Sequence, residues 1–384
     1  MTAATQLLTA PFAVRLAEYR AAFEADLAAF VAKKKSAALE DEDTAAVELI
    51  DAVGRLAAVG GKRLRPALVH FSALACGGPS SSGALSRPME LAVELLHTYL
   101  LIHDDLMDHA DTRRGEPAAQ VRFRAAHARR GLAGDALDYG NSVAILLGDL
   151  AHTWAAELAN ETPDGPDASR RDRRRAALAC FARTGEEVIA GQFLELDIAA
   201  RRAFASGSEA VSAEHLSRVL QGKSGRYTAE RPIQLGALLA GAEPAVAEAL
   251  RRYGRAVGEA FQLQDDLLGV FGDPARTGKP VGDDLREGKF TFLIFHALAA
   301  ANPLDRERIE AALGRRDLSD EEATAVAARL EALGSRARVT RMIDERLAEA
   351  SRAIDSIGSL ATPLDPDGVA FFVGLLEHLR ERET

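Results

Sequence analysis

The sequence predicts an all-α protein, folded as a single large helical bundle. Three observations carry this. Apolar residues recur at helical spacing through most of the 384 residues. The composition is 47% hydrophobic but only 5% aromatic, with Ala and Leu abundant, which favours helix over strand. No segment shows the sustained apolar–polar alternation between hairpin turns that marks a half-buried strand.

The helices follow in order from that spacing. The first is expected at 13–31, where apolar and charged positions interleave at helical intervals. Others are expected at 43–58, 65–76, 88–107, 117–130, 135–159, 172–200, 213–222, 226–241, 244–270, 287–300, 305–314, 319–333, 336–357 and 367–382. Breaks fall where Gly, Pro and Ser cluster: at Gly77–Gly83, Thr162–Pro166, Gly272–Pro274, Ala301–Pro303 and Thr362–Pro366. None is long enough to require a flexible linker. A single domain over 1–384 is therefore the expectation, although chains beyond ~250–300 residues often divide.

The net charge of −10 argues against general nucleic-acid binding. The basic run Arg170–Arg175 reads as a solvated loop. Cys76 and Cys180 show no metal or redox spacing, so a reducing compartment is expected. There is no leader-like pattern and no run near the ~20 apolar residues of a membrane span, so the expectation is a cytoplasmic protein without a stable membrane anchor.

Two acidic clusters, about 160 residues apart, each follow an apolar helical run. The first is His103-Asp104-Asp105-Leu106-Met107-Asp108, with Arg113-Arg114-Gly115 close behind. The second is Gln262-Leu263-Gln264-Asp265-Asp266-Leu267-Leu268-Gly269. Carboxylates set into apolar helices are costly unless cations neutralise them. Asp104 and Asp108 are four apart and project from one helix face. That arrangement suits Mg²⁺, a hard cation that takes one or two carboxylates and completes its shell with phosphate and water. The guanidinium pair nearby makes sense if a phosphate shares the metal.

Four basic turns accompany the acids: Gly60-Gly61-Lys62-Arg63-Leu64-Arg65-Pro66, Lys223-Ser224-Gly225, Gly278-Lys279-Pro280 and Arg286-Glu287-Gly288-Lys289. Each alone reads as ordinary surface. Together with two acid clusters beneath apolar helices, they point to an apolar molecule with a diphosphate head.

In these blocks the chain resembles the trans-isoprenyl diphosphate synthase, or polyprenyl synthetase, family. The matching motifs are GGKRLRP (60–66), ELLHTYLLIHDDLMD (94–108), RRGEP (113–117), GQFLEL (191–196), GKSG (222–225), FQLQDDLLGVFGD (261–273) and GKPVGDDLREGKFT (278–291). They occur in the family's order over about residues 55–295. The resemblance implies an all-α fold around a central apolar cavity, usually a homodimer, and a reaction using three Mg²⁺. An allylic diphosphate ionises, the double bond of isopentenyl diphosphate attacks the cation, and a proton is lost.

By motif position, the resemblance makes Asp104 and Asp108 ligands of two Mg²⁺ and Asp265 of the third, with Asp105 and Asp266 in support. It assigns Lys62, Arg65, His97 and Arg114 to isopentenyl diphosphate. Arg113, Lys223, Ser224, Gln262, Lys279 and Lys289 would surround the allylic diphosphate. Two positions depart from the family pattern: Gly269 stands where an aspartate usually closes the second motif, and Ser224 stands where threonine is common. Tyr99 and Leu100, five and four residues before Asp104, occupy the positions whose bulk stops chain growth in the family. Five residues of helix cover ~7.5 Å. An aromatic there, with no insertion in the first acid motif, resembles the geranylgeranyl (C20) pattern; C15 and C25 are the neighbouring alternatives. A class I terpene cyclase would leave GGKRLRP and His97 unexplained, and a non-catalytic subunit would be expected to lose an acid cluster or the basic turns.

Overall fold

The computed structural model describes residues 11–164, 167–202, 211–273, 281–358, 360 and 362–382. The helices are α1 (Phe12–Glu40), α2 (Thr44–Ala58), α3 (Leu64–Gly77), α4 (Arg87–Met107), α5 (Ala119–Arg130), α6 (Ala136–Asn160), α7 (Ala168–Arg202), α8 (Ala213–Val219), α9 (Arg231–Ala240), α10 (Pro244–Phe271), α11 (Asp283–Glu287), α12 (Phe292–Ala300), α13 (Pro303–Ala312), α14 (Asp320–Ala332), α15 (Ser335–Ile357) and α16 (Pro366–Glu381). The all-α expectation holds. Among the described residues the sole sheet is one pair of two-residue strands, β1 (Thr112–Arg113) and β2 (Glu116–Pro117).

The chain forms two compact units. One takes in the chain up to Phe181 with Leu235–Ala242 and Leu364–Phe371; the other comprises Ala182–Gln234, Glu243–Pro363 and Phe372–Thr384. In the first, α4 is the spine. It packs on α3, α5 and α6 and buries Met89, Leu91, Val93, Leu95, Leu96 and Ile102. In the second, α10 is the spine and packs on α15 and on an irregular helical stretch at Leu220–Glu230. Pro244 occupies its first turn, where a missing N–H costs nothing. Its buried face runs through Leu250, Tyr253, Val257, Leu263 and Leu267.

Four sequence expectations are corrected. The first helix continues to Glu40 rather than ending near 31. Lys223-Ser224-Gly225 is not a turn but lies inside the π-helix Leu220–Glu230, continuous with α8 and α9. The helix expected over 287–300 starts only at Phe292, because Gly288, at φ 76°, closes the short helix α11 before it. Finally, Arg170–Arg175 opens α7 instead of forming a solvated loop. Arg174 donates to the carbonyls of Asn160 and Thr162, each at 2.7 Å, and Arg173 to that of Ala240 at 3.2 Å. Cationic side chains there satisfy carbonyls that helix ends leave over.

Candidate active site

In the first unit, α4 delivers the first acid cluster at its C-terminal end. Asp104 is half-buried, Asp105 is 4% exposed, and Asp108 is the residue that ends the helix. The next residues return as the hairpin β1–β2, whose tip residues Arg114 and Gly115 have φ of 54° and 80°. Positive φ at both central residues is the mark of a type I′ turn, which matches strand twist. The hairpin brings Arg113 back to the acids. Its Nε donates to Asp105 at 2.8 Å, its Nη2 also reaches Asp105, and Asp104 lies 3.9 Å away. Asp105 is thus committed to orienting Arg113. Gln120 fixes the backbone below, donating to the carbonyls of Asp105 and Ala110 at 3.0 and 2.7 Å.

The same unit carries the GGKRLRP bend. Lys62 is exposed, and Arg65 Nη1 lies 3.4 Å from His97 Nε2. Burial, and then the charges of Arg65, Arg114, Arg113 and Arg63, lower the His97 pKa well below the usual imidazole value. His97 is therefore a neutral hydrogen-bonding group near pH 7 and adds no charge of its own. Of the four residues that the resemblance assigns to isopentenyl diphosphate, Arg65 lies beside His97 and Arg114 is near enough for its charge to act on the imidazole. Tyr99 lies between α4 and α6, with its ring centroid 4.8 Å from that of His103 and 5.0 Å from that of His152. Leu100, four residues before Asp104, shares the helix face of Asp104, while Tyr99 stands on the flank.

In the second unit, Asp265 and Asp266 sit in α10, more than a turn before it ends at Phe271. Asp265 accepts from Arg382 Nη2 at 2.6 Å, and that guanidinium lies 4.9 Å from the Phe261 ring centroid. The Gln262 amide donates to Asp266 at 2.7 Å. Burial pushes the Asp266 carboxyl up to about 8, aided by the negative charges of Asp284, Asp265 and Glu195 and opposed by the Gln262 bond. The π-helix contributes Lys223, paired with Glu195 of α7, and the buried Ser224. It approaches α10 backbone to backbone: a Cβ on Gly258 would run into the Gly225 carbonyl oxygen and stand 2.8 Å from its carbon. Lys289 pairs with Glu287 and lies 3.7 Å from Asp284. Lys279 lies outside the described residues.

Gly269 proves to be more than a lost acid. A Cβ at this position would fall on the carboxylate of Asp284, a buried residue of α11. The space that an aspartate side chain would take from α10 is filled by an aspartate from another element. Reading along α10 alone could not reveal this, and Glu195, Asp284 and Arg382 were all missed. The motif GDDLREGK placed an acid at 284 without showing where it would point.

The residues of both clusters fit a hard divalent cation: their donors are carboxylate oxygens, half-buried and flanked by cations. Among the described residues no group of three or more His, Cys, Asp or Glu forms a metal cage on its own. One or two carboxylates per ion, completed by phosphate and water, is the coordination that Mg²⁺ favours.

The sequence profile of the polyprenyl synthetase family matches residues 47–330. The chain belongs to the polyprenyl synthetase family. It is an isoprenyl diphosphate synthase, a prenyltransferase. It is 36% identical over 258 residues to a geranylgeranyl diphosphate synthase of Methanosarcina mazei, covering 67% of this chain and 70% of that one. It is also 34% identical over 310 residues to a (2E,6E)-farnesyl diphosphate synthase of Mycobacterium tuberculosis, covering 80% and 76%. The fold superposes on a geranylgeranyl pyrophosphate synthase of Corynebacterium glutamicum, solved with isoprenyl diphosphate and magnesium. The TM-score is 0.83 with 31% identity, over 94% of this chain and 99% of that one. Among the described residues no helix is long and apolar enough to cross a membrane.

Proposed function

We propose that this synthase condenses isopentenyl diphosphate with an allylic diphosphate to give an all-trans C20 product, geranylgeranyl diphosphate. The observation that carries the reading is the meeting of acid and cation on each spine helix: Asp104–Asp105 with Arg113 on one, and Asp265–Asp266 with Arg382 beside them on the other. Asp104 and Asp108 would hold two magnesium ions and Asp265 a third. Bound there, magnesium would neutralise negative charge growing on the leaving diphosphate. Arg113, kept beside Asp104 by Asp105, binds the same group, with Lys223, Ser224, Gln262, Lys279 and Lys289. Lys62 and Arg65 hold isopentenyl diphosphate by charge. His97 and Arg114 complete its site, His97 as a neutral hydrogen-bonding partner. Apolar side chains around the reacting carbons exclude the water that would trap an allylic cation.

The bulk of Tyr99, braced by His103 and His152, supports a short product. We place the enzyme in the cytoplasm as a homodimer, with residues 1–384 acting as a single isoprenyl diphosphate synthase domain. The farnesyl synthase of M. tuberculosis, at 34% identity, keeps C15 as the second reading. Incubating the purified chain with isopentenyl diphosphate, each allylic starter and Mg²⁺, with products read by mass, decides between them. C20 is expected. Accumulation at C15 selects the second reading, and a cyclic hydrocarbon or no product rejects both.

A further inference from the structure

The bend that opens α3 holds three cations, and the function above uses two. The third, Arg63, points inward. It is 3% exposed and pairs through Nη1 with Glu94 of α4, also 3% exposed. Its Nη2 donates to the Ala58 carbonyl at 3.1 Å, and its Nε reaches Glu24 at 3.4 Å. The backbone here is unusual. Arg63 has φ 51° and ψ 34°, a left-handed conformation uncommon for a residue with a side chain, and it follows Gly60 at φ 51° and Gly61 at φ 132°. Three positive φ values within four residues make a sharp reversal that leaves Lys62 exposed while Arg63 is buried.

This reversal is gripped from two sides. Glu94 and His97 are three apart and share a face of α4. Glu94 holds Arg63, and His97 lies beside Arg65. From the hairpin tip, Arg114 donates to the carbonyls of Val59, at 2.7 Å, and Gly60. The Arg114 guanidinium lies over Gly61, where a Cβ would stand 3.0 Å from Nη1 and 3.2 Å from Cζ. A side chain there would push the guanidinium back by a few tenths of an ångström and would be strained by the φ of 132°. Without the Glu94 charge, buried Arg63 would keep only a carbonyl and Glu24, whose side chain is 42% exposed. A buried guanidinium deprived of its main counter-charge moves toward water, and the bend would move with it.

We propose that Glu94 is a positioning residue for isopentenyl diphosphate. Through Arg63 it locks the left-handed bend that aims Lys62 and Arg65 at one diphosphate. The inference deepens the function proposed above and rests on it. Glu94 touches no substrate, so its removal should act on one substrate's binding and leave the chemistry alone. A natural comparison lies one turn earlier. Glu90 is equally buried in α4 and accepts from Tyr19 at 3.0 Å, Ser86 at 2.6 Å and Arg87 at 2.7 Å, none of them in the bend.

The test compares Glu94→Gln with Glu90→Gln in the full chain. Glu94→Gln should raise KM for isopentenyl diphosphate about tenfold or more, the scale of a lost charge-assisted contact. KM for the allylic substrate and kcat should stay within about twofold of the parent enzyme on the same scale. Glu90→Gln should lower the thermal midpoint and leave both KM values unchanged. An equal rise in both KM values, a loss confined to kcat, or no change overturns the proposal. If Glu94→Gln does not fold, the same criteria apply to Arg63→Lys, which keeps the charge but loses the planar fork. Calorimetric titration of isopentenyl diphosphate separates this idea from the functional reading. An inactive parent chain that still binds it far more tightly than Glu94→Gln would reject the reading but uphold the positioning. Equal affinities would reject the positioning.

Discussion

Restoring the family's missing acid at position 269 should harm this protein. Gly269 lies in the last turn of α10, where replacing glycine with alanine normally stabilises a helix by up to about 1 kcal/mol. Here the new Cβ would land on the Asp284 carboxylate, and the Oδ1 atom lies 2.8 Å from it. Asp284 is 8% exposed and has little room to swing, and moving it disturbs Lys289, 3.7 Å away. Overpacking of this kind costs about 1–3 kcal/mol. Gly269→Ala should therefore be neutral or destabilised by up to about 2 kcal/mol, where a free helix glycine would gain about 1. Gly269→Asp adds a third carboxylate beside Asp266 and Asp284. Two such charges ~4 Å apart repel by about 4 kcal/mol at an effective dielectric of 20, an upper limit because one will take up a proton. Thermal melts in chelator and in Mg²⁺ separate the two effects. With ~2–4 °C per kcal/mol for a unit of about this size, the alanine variant should melt level with the parent or a few degrees below it, with or without metal. The aspartate variant should melt lower still, and Mg²⁺ should recover part of its loss. An alanine variant melting 2–4 °C above the parent, the gain of about 1 kcal/mol, would refute the reasoning, since Asp284 would then be yielding the space freely.

Four further outcomes are expected. Tyr99→Ala should shift the product distribution toward longer chains, and chromatography showing an unchanged distribution would remove Tyr99 as the floor. Asp104→Ala should reduce kcat/KM by about a thousandfold or more, with the far-UV spectrum unchanged; near-parental turnover at saturating Mg²⁺ would show that the ligand lies elsewhere. The folded pKa of Asp266 is raised, to about 8, so the folded state holds this proton more tightly than the unfolded chain. The contribution of Asp266 to metal-free stability should therefore be complete below the ordinary carboxylate range and be lost as pH rises from there through 8. Urea midpoints across that window should slope downward, and the slope should shrink in Asp266→Asn. Finally, Gly258→Ala should destabilise by about 1–3 kcal/mol through its clash with the Gly225 carbonyl, a loss visible in urea unfolding.

Most helices were legible because their apolar positions recur with one period and their ends carry Gly, Pro or Asx residues. The acids and cations were legible because each motif is local. What sequence could not show was pairing across long separations. Glu94 holds Arg63 from 31 residues away, Glu195 holds Lys223 from 28, and Arg382 reaches Asp265 across 117. These partners carry no local signature. Lys223-Ser224-Gly225 looked like a turn because two glycines bracket polar residues. Tertiary approach overrode that preference, since Gly225 is pressed against Gly258 of α10. The Arg170–Arg175 run misled for the opposite reason: its cations are not merely solvated, and two of them tie off carbonyls at neighbouring helix ends.

The π-helix at Leu220–Glu230 spends more residues on each turn than an α-helix would need between the same ends. Ion pairs fasten both ends: Lys223 to Glu195 of α7, and Glu230 to Arg251 and Arg255 of α10, at 3.2 and 3.1 Å. Deleting one residue between these anchors would draw the segment toward ordinary helical winding, which spends fewer residues per turn and so keeps both anchors near their present bearings while the i→i+5 turns are lost. A surface loop absorbs such a deletion in its slack, whereas this segment would absorb it by tightening, and the backbone around Ser224 would change with it. Loss of a residue here should therefore leave both ends fastened and reshape only the turns between them.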